Sequence, residues 1–374
     1  NILVKLDENK EAVQLTPSEI SVRTRVHEYG GRPYLVDGSD IYYSQFTDQK
    51  VYKVSTDSEA QALTTDGLRF MHCVMDHSHN QLICVREDHR GLGEAVNTLV
   101  AIDLSDNENE SAGEILFEGT DFVSSPQISP DGKSLAFITW SHPNMPWDDT
   151  QLRVITFSEN GSIESQVEVP QEGNVSIANP QYSADNTLYF TADFANWATL
   201  YRLNEDGQVE LVLDQDIEIG SYGFENETSA AITYSKDGLR YLARVDLSTG
   251  AMTNIGEAFS NAGSIAVADN GVYFIASTPS SLNSIYLLNG DSYSEVYKPS
   301  GPQISAEYLS IPQAFTFPTG ASEEAYGFYY PPVNENFQGP EDSLPPLIVK
   351  VHGGPVGAPS STLDPRIQFW TSRG

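Results

Sequence analysis

Near the C-terminal end of the 374-residue sequence stands His352-Gly353-Gly354-Pro355, directly after the apolar run Leu347-Ile348-Val349-Lys350-Val351. Two glycines at a strand end allow a turn whose backbone N–H groups point outward, unobstructed by side chains. Such donors suit an oxyanion that develops during acyl transfer. The N–H of Gly354 is the first choice of donor and that of Gly353 the second, and His352 is read as shaping the loop rather than as a base. An ordinary Gly-Gly turn is the bland alternative. Two further groups carry chemistry by type and spacing. His72, His77, His79 and His89 fall close to Asp76 and Asp88. A His-x-His pair can ligate a metal, but a polar hairpin loop is the preferred reading, and no metal or cofactor is expected. Cys73 and Cys84 flank Ser78-His79 symmetrically. They would face each other across a two-residue hairpin, as a cross-strand disulfide or, as preferred here, as two small reduced core residues.

The elements that must position these groups are mostly short strands. Runs of five to eight residues rich in Val, Ile, Tyr, Phe and Thr alternate with polar residues and are punctuated by turn residues. A turn followed by an apolar strand recurs at Gly38, Asn80, Gly132, Asn186, Glu227 and Gly271, at spacings of 42, 52, 54, 41 and 44. Each such strand is followed by another, as at Val51–Val54, Leu99–Ile102, Leu200–Leu203 and Ser284–Leu287. A unit of this length with about four strands is a β-propeller blade. No blade buries both faces alone, so blades must stack. Ile2–Leu6 and Ala12–Leu15 read as the last strands of a further blade, which makes an all-β seven-bladed propeller with its first blade incomplete. A sandwich array or a β-helix is the competing architecture. Trp140, Trp147 and the Pro143–Pro146 loop form an insertion in the longest interval. Beyond residue 300 the pattern changes. Ser310–Phe317 and Glu324–Tyr330 read as strands, Pro331–Pro346 as a loop, and Leu347–Val351 as a strand buried on both faces of an α/β sheet. The expected division is 1–305 propeller and 306–374 linker plus the start of an α/β domain.

Lys and Arg number 20 against 52 Asp and Glu, a formal charge of −32. That excludes a nucleic-acid binder, which needs a basic footprint, and an anionic membrane surface as partner. Hydrophobic residues make up 39% of the chain, enough for a sizeable core, so the acidity is not a mark of global disorder. The first residue is Asn1 and no signal-peptide layout follows, so a piece of a longer chain with a cytoplasmic home is expected.

The chain resembles the prolyl oligopeptidase family of serine peptidases, particularly its acylaminoacyl-peptidase and dipeptidyl-aminopeptidase-like bacterial branch. The resemblance rests on the blade repeat, on Arg23-Thr24-Arg25-Val26-His27-Glu28-Tyr29-Gly30-Gly31, on Ala325-Tyr326-Gly327-Phe328-Tyr329-Tyr330-Pro331-Pro332, and on His352-Gly353-Gly354-Pro355 with Gln368-Phe369-Trp370 beyond it. It implies a Ser-His-Asp triad on an α/β-hydrolase domain, a propeller that admits only short peptides, and an acyl-enzyme. The triad needs G-x-S-x-G followed by Asp and His. No G-x-S-x-G is present, and Gly263-Ser264 and Gly220-Ser221 lie inside propeller repeats. The triad is therefore expected beyond Gly374, and the chain alone is expected to be inactive. On this resemblance Glu28 is a candidate partner for a substrate amino terminus. Arg25 and Arg23 are candidates for a peptide carboxylate. The bland reading is that these residues tie a linker between blades. A non-catalytic TolB-like binding propeller and an HGG-type esterase are the competing functions. Short peptides are the expected partners, with self-association left open.

Overall fold

The computed structural model describes every residue except 8, 56–57, 106–109, 321–322 and 355. Pro355 of the glycine-rich loop thus lies outside the described residues. The chain divides into two compact units, Asn1–Leu211 and Val212–Gly374.

The first unit holds four four-stranded antiparallel sheets, over residues 34–62, 68–117, 122–168 and 177–211, and a two-stranded hairpin of Val4–Leu6 with Ala12–Gln14. The second unit holds two more such sheets, over residues 218–255 and 261–297, and the hairpin of Gln313–Pro318 with Glu324–Tyr329. It ends in one helix, α1 (Pro365–Thr371), capped by Asp364, whose side chain accepts from the N–H of Arg366. In each sheet the strands pair in chain order. These six meanders are the blades of a β-propeller. Five of the six turn anchors read from the sequence fall between the first and second strands of a blade, and Gly271 opens the second strand of the sixth.

The cores sit between blades, which is why both faces of a strand are apolar. In the strand Gln81–Asp88, Ile83 and Val85 pack towards Phe137 and Leu135 of the next blade. The alternate residues Leu82 and Cys84 pack towards Tyr42 and Val51 of the preceding one. A period of two with both phases apolar is what a strand sandwiched between two neighbours requires. Within the second unit, Phe274, Val272 and Phe259 fill the same kind of interface.

The first strand of five blades carries a bulge that the sequence repeat does not announce. Register shifts occur at His72, Ser125 and Asn179 in the first unit and at Gly220 and Ser264 in the second. His72, Ser125, Asn179 and Ser264 all have left-handed backbone, with φ of 50°, 52°, 51° and 51°. An extra residue in this conformation increases the local twist of the strand.

Two sequence expectations are corrected. Cys73 and Cys84 are joined in a disulfide, not reduced, with their Cα atoms 4.1 Å apart. The turn between them is wider than the two residues expected, since Asp76 pairs with Gln81. The symmetry about Ser78-His79 survives this, so the two thiols still meet across the strands. Leu347–Val351 is not a buried strand: it pairs with no described strand, and Leu347, Val349 and Val351 are 78%, 74% and 78% exposed. Apolar composition sets a preference for burial, but a strand forms only where hydrogen-bonding neighbours flank it.

Candidate functional site

In a four-stranded meander, the turn from strand two to strand three and the exit from strand four emerge at the same end. In the first unit this places residues 89–95, 118–121 and 141–149 at one end of the second and third blades. The segment before the first blade, which includes His27 and Glu28, joins them. Together they line an open cleft of about 870 Å³.

The approach to the turn alternates, with Arg23 and Arg25 outward and Val22, Thr24 and Val26 buried. Val26 anchors in the core between the second and third blades. The chain then turns through His27 and Glu28, both left-handed at φ 53° and 65°, with the Gly30 N–H bonded to the Val26 carbonyl at 2.9 Å. Two adjacent non-glycine residues in this conformation carry strain that surrounding contacts must hold. Glu87 is one such contact, since its Oε1 accepts the His27 N–H at 3.0 Å.

Arg69 and Glu87 are direct cross-strand partners, and Arg69 Nη1 lies 3.3 Å from Glu87 Oε2 and 2.8 Å from Glu28 Oε1. The same guanidinium donates to the Arg25 carbonyl at 3.0 Å. Arg69 therefore ties the buried Glu87 to the exposed Glu28. Its hydrogen bond and charge hold the Glu28 carboxyl below the usual carboxylate range. His89 Nε2 lies 2.6 Å from Glu87 Oε2.

The His27 ring is buried against Phe122 and Trp140, with centroids 5.2 Å and 5.3 Å away, and Phe122 stacks on Trp140. Burial lowers its pKa, opposed by the Glu87 charge and the Asn97 amide. That amide adjoins the ring, yet neither His27 Nε2 nor Asn97 Oδ1 reaches a partner in good hydrogen-bond geometry. Asn97 Nδ2 donates to the Asp121 carbonyl at 2.8 Å, and the His142 N–H donates to Asp121 Oδ2 at 2.9 Å.

Of the predicted site residues in this unit, Glu28 lines the cleft and Arg23 and Arg25 do not. Their guanidinium carbons lie 4.7 Å and 4.3 Å from the Phe46 ring centroid, a cation–π arrangement. The histidine cluster is dispersed among separate partners: His79 with Asp76 at 2.7 Å, His77 with Asp37 at 3.2 Å, and His72 accepting the Ser125 N–H at 3.2 Å. Trp140 is buried behind Phe122 and His27, whereas Trp147 is 39% exposed. Sequence reasoning missed Arg69, Glu87, Glu94, Asn97, Glu118 and Asp121. Aligning the blade repeat strand by strand, and asking which loops share an end, is the signal that finds them.

The oxyanion-loop candidates lie in the second unit. Gly353 and Gly354 are exposed, and a Cβ at Gly353 would meet nothing. His352 Nδ1 lies 2.9 Å from the Gly353 carbonyl. The segment that follows is fixed within this unit. The Ser361 hydroxyl donates to the Ser260 carbonyl at 3.2 Å, and Gln368 exchanges two hydrogen bonds with the Ser310 backbone at 2.7 Å and 3.0 Å. Asp364 is held down to about 2: burial opposes this, and Arg366 and Lys350 outweigh it.

The fold is that of the propeller portion found in solved peptidase structures. The particular solved structures the chain is similar to are puromycin-hydrolysing enzymes. A puromycin hydrolase complexed with PGG superposes with a TM-score of 0.92 at 23% identity, over 100% of this chain and 61% of that one. A Mycobacterium tuberculosis puromycin-hydrolyzing peptidase gives 0.89 at 25% identity, over 97% and 60%. The Pyrococcus horikoshii acylaminoacyl peptidase gives 0.66 at 17% identity, over 98% and 58%. The chain thus spans about three fifths of the length of these structures. No protein-family model matches the sequence, and no curated relative matches it.

Proposed function

We propose that the chain supplies the propeller and oxyanion-loop portion of a serine peptidase that hydrolyses short peptides through an acyl-enzyme, in the manner of an aminopeptidase or acylaminoacyl-peptidase. The observation that supports this most is the match to a puromycin-hydrolyzing peptidase along 97% of the chain at 25% identity. In this reading the hairpin of Val4–Leu6 and Ala12–Gln14 belongs to a seventh blade, and residues 1–305 form the propeller. Residues 306–374 are a linker and the start of an α/β-hydrolase domain. The triad belongs to the additional length that the similar structures possess. Leu347–Val351 then becomes a central strand once partner strands flank it, which accounts for an apolar run of which three residues are more than 70% exposed.

Each chemical role follows from a group already described. The N–H groups of Gly354 and Gly353 stabilise the tetrahedral oxyanion, with His352 shaping the loop. Glu28, ionised beside Arg69, takes the ammonium of a free amino terminus. Arg23 and Arg25, whose guanidinium groups lie over the Phe46 ring outside the cleft, are the candidates for a peptide carboxylate. Short peptides are the partners, and the −32 charge argues against nucleic acid. No helix among the described residues is long and apolar enough to cross a membrane. The Cys73–Cys84 disulfide weighs against the expected cytoplasmic home, since such bridges persist in oxidising compartments.

The test is turnover of aminoacyl, N-acylaminoacyl and dipeptidyl chromogenic substrates by the intact protein, with and without a serine-directed inhibitor. Inhibitor-sensitive hydrolysis of at least one class is expected. Absence of turnover on all three would overturn the reading in favour of a binding propeller. The 374-residue chain by itself should be inert in the same assay.

A further inference from the structure

The segment after the glycine-rich turn is exposed at first and then held. Residues 356–360 are exposed, and burial begins at Ser361, which is 3% exposed. One end of the sixth blade holds it. The first three strands of that blade are Asn261–Ala268, Gly271–Ser277 and Ser284–Asn289, paired antiparallel in order. The residue before the first strand, the last of the second and the residue before the third therefore share one end. They are Ser260, Ser277 and Asn283.

Each has a partner in the segment. The Ser361 hydroxyl donates to the Ser260 carbonyl and lies 2.9 Å from the Ser260 hydroxyl. Thr362 Oγ1 lies 2.8 Å from Ser277 Oγ and 3.5 Å from Asn283 Oδ1. Asn261 Nδ2 donates to that same Asn283 oxygen at 3.2 Å. The Leu363 N–H donates to the Ser281 carbonyl, in the turn between the second and third strands. Ser277 is fully buried, so its hydroxyl would be costly to leave without the Thr362 partner.

The same segment reaches back to the glycine-rich turn. Gly357 packs so closely on it that a Cβ there would come within 2.7 Å of the Gly353 carbonyl oxygen and 3.1 Å of His352 Nδ1. Between Gly357 and Ser361 lie only Ala358, Pro359 and Ser360, and the fixed φ of Pro359 takes slack out of the link. On the other side of the turn Leu347–Val351 pairs with no described strand, and Lys350 meets Asp364, the residue that follows the anchored stretch, at 3.2 Å. Among the described residues the turn is thus placed from its C-terminal side.

We infer that Ser260 and Ser277 of the sixth blade are positioning residues for the oxyanion donors: through Ser361 and Thr362 they fix the segment that carries Gly357, and with it the Gly353 and Gly354 N–H groups. The inference rests on the peptidase reading above and adds the residues that hold its oxyanion loop. A displacement of about 1 Å in a reacting geometry can cost about 100-fold in rate, so an exposed turn needs such an anchor.

The experiment compares Ser277→Ala, Thr362→Val, Thr362→Ser and Ser361→Ala with the unaltered intact protein. Steady-state kinetics are read beside hydrogen exchange of the amides of residues 352–360. Thr362→Val and Ser277→Ala should each lower kcat about tenfold with KM changed less than about twofold, because donors to the oxyanion act in the transition state. Their double variant should be no slower than either single one, since both remove one bond. Thr362→Ser keeps the hydroxyl and should restore kcat. Exchange across residues 352–360 should be about threefold faster or more in the Val and Ala variants and ordinary in Thr362→Ser. Ser361→Ala breaks the separate bond to Ser260 and decides the matter should the Ser277 variant not fold. A lower thermal midpoint with kcat and loop exchange unchanged would show a purely structural role and overturn the inference, as would a Thr362→Ser variant no better than Thr362→Val. Faster loop exchange in a protein whose unaltered form turns over no substrate would overturn the peptidase reading alone. Turnover that is the same in every variant would overturn the positioning role alone.

Discussion

Glu28 owes its chemical state to a residue 41 positions away. Arg69 grips it and the buried Glu87 with one guanidinium nitrogen, so a carboxylate that is 77% exposed is still aimed. Exposed ion pairs are individually weak. Replacing Glu28 with Gln should therefore raise KM for free-amino peptides by about fivefold and leave kcat and the turnover of N-acylated substrates nearly unchanged. A matching loss on acylated substrates would show that Glu28 only holds the turn. Gly354→Pro removes the proposed oxyanion donor, and should lower kcat by about 10²–10³ with little change in KM. His72 offers a test independent of catalysis. Burial, with lesser contributions from the charges of Arg32 and His27, holds its pKa down to about 4. The unfolded chain takes up that proton near pH 6.5. Between those values the unfolded state binds more protons, so stability falls as pH falls from about 6.5 to about 4. His72→Asn, which tolerates left-handed backbone, should flatten that decline by on the order of 3 kcal/mol in urea titrations at several pH values. An unchanged pH slope would contradict the assignment. Glu28 was legible in the sequence because it stands in a distinctive motif. Glu94, Glu118 and Asp121 were not, because each sits in an ordinary polar loop and only the stacking of blades brings them together.

Blade strands were legible because alternation and turn chemistry are local. The bulges at His72, Ser125, Asn179 and Ser264 were not, because a left-handed Ser or His leaves no mark in composition. Leu347–Val351 shows the opposite failure, where a clear strand signal meets no partner. The disulfide lies between these cases. The symmetry of Cys73 and Cys84 about Ser78-His79 was readable, but their oxidation state depends on the compartment as well as on geometry. Intact mass measured before and after reduction should show the gain of two hydrogens. Cys73→Ala with Cys84→Ala should lower stability by about 3 kcal/mol, mostly by freeing the unfolded chain. Identical masses before and after reduction would mean the thiols are free.

At the scale of the whole molecule, stability resides in the interfaces between blades rather than within any one of them. Phe137 is fully buried between the second and third blades. Phe137→Ala should cost about 3–5 kcal/mol and lower the thermal midpoint, whereas truncating the exposed Trp197 should cost little. The fold was readable at this scale because six turn anchors recur at intervals of 41 to 54 residues. The proposed activity rests, in the sequence, on one glycine-rich loop and its resemblance. The most direct test is labelling of the intact protein with a fluorophosphonate, read by mass spectrometry beside aminoacyl-substrate turnover. The account predicts one adduct per chain, on a serine outside the propeller, with turnover lost in step. Turnover that survives full labelling, or an adduct within residues 1–305, would contradict it.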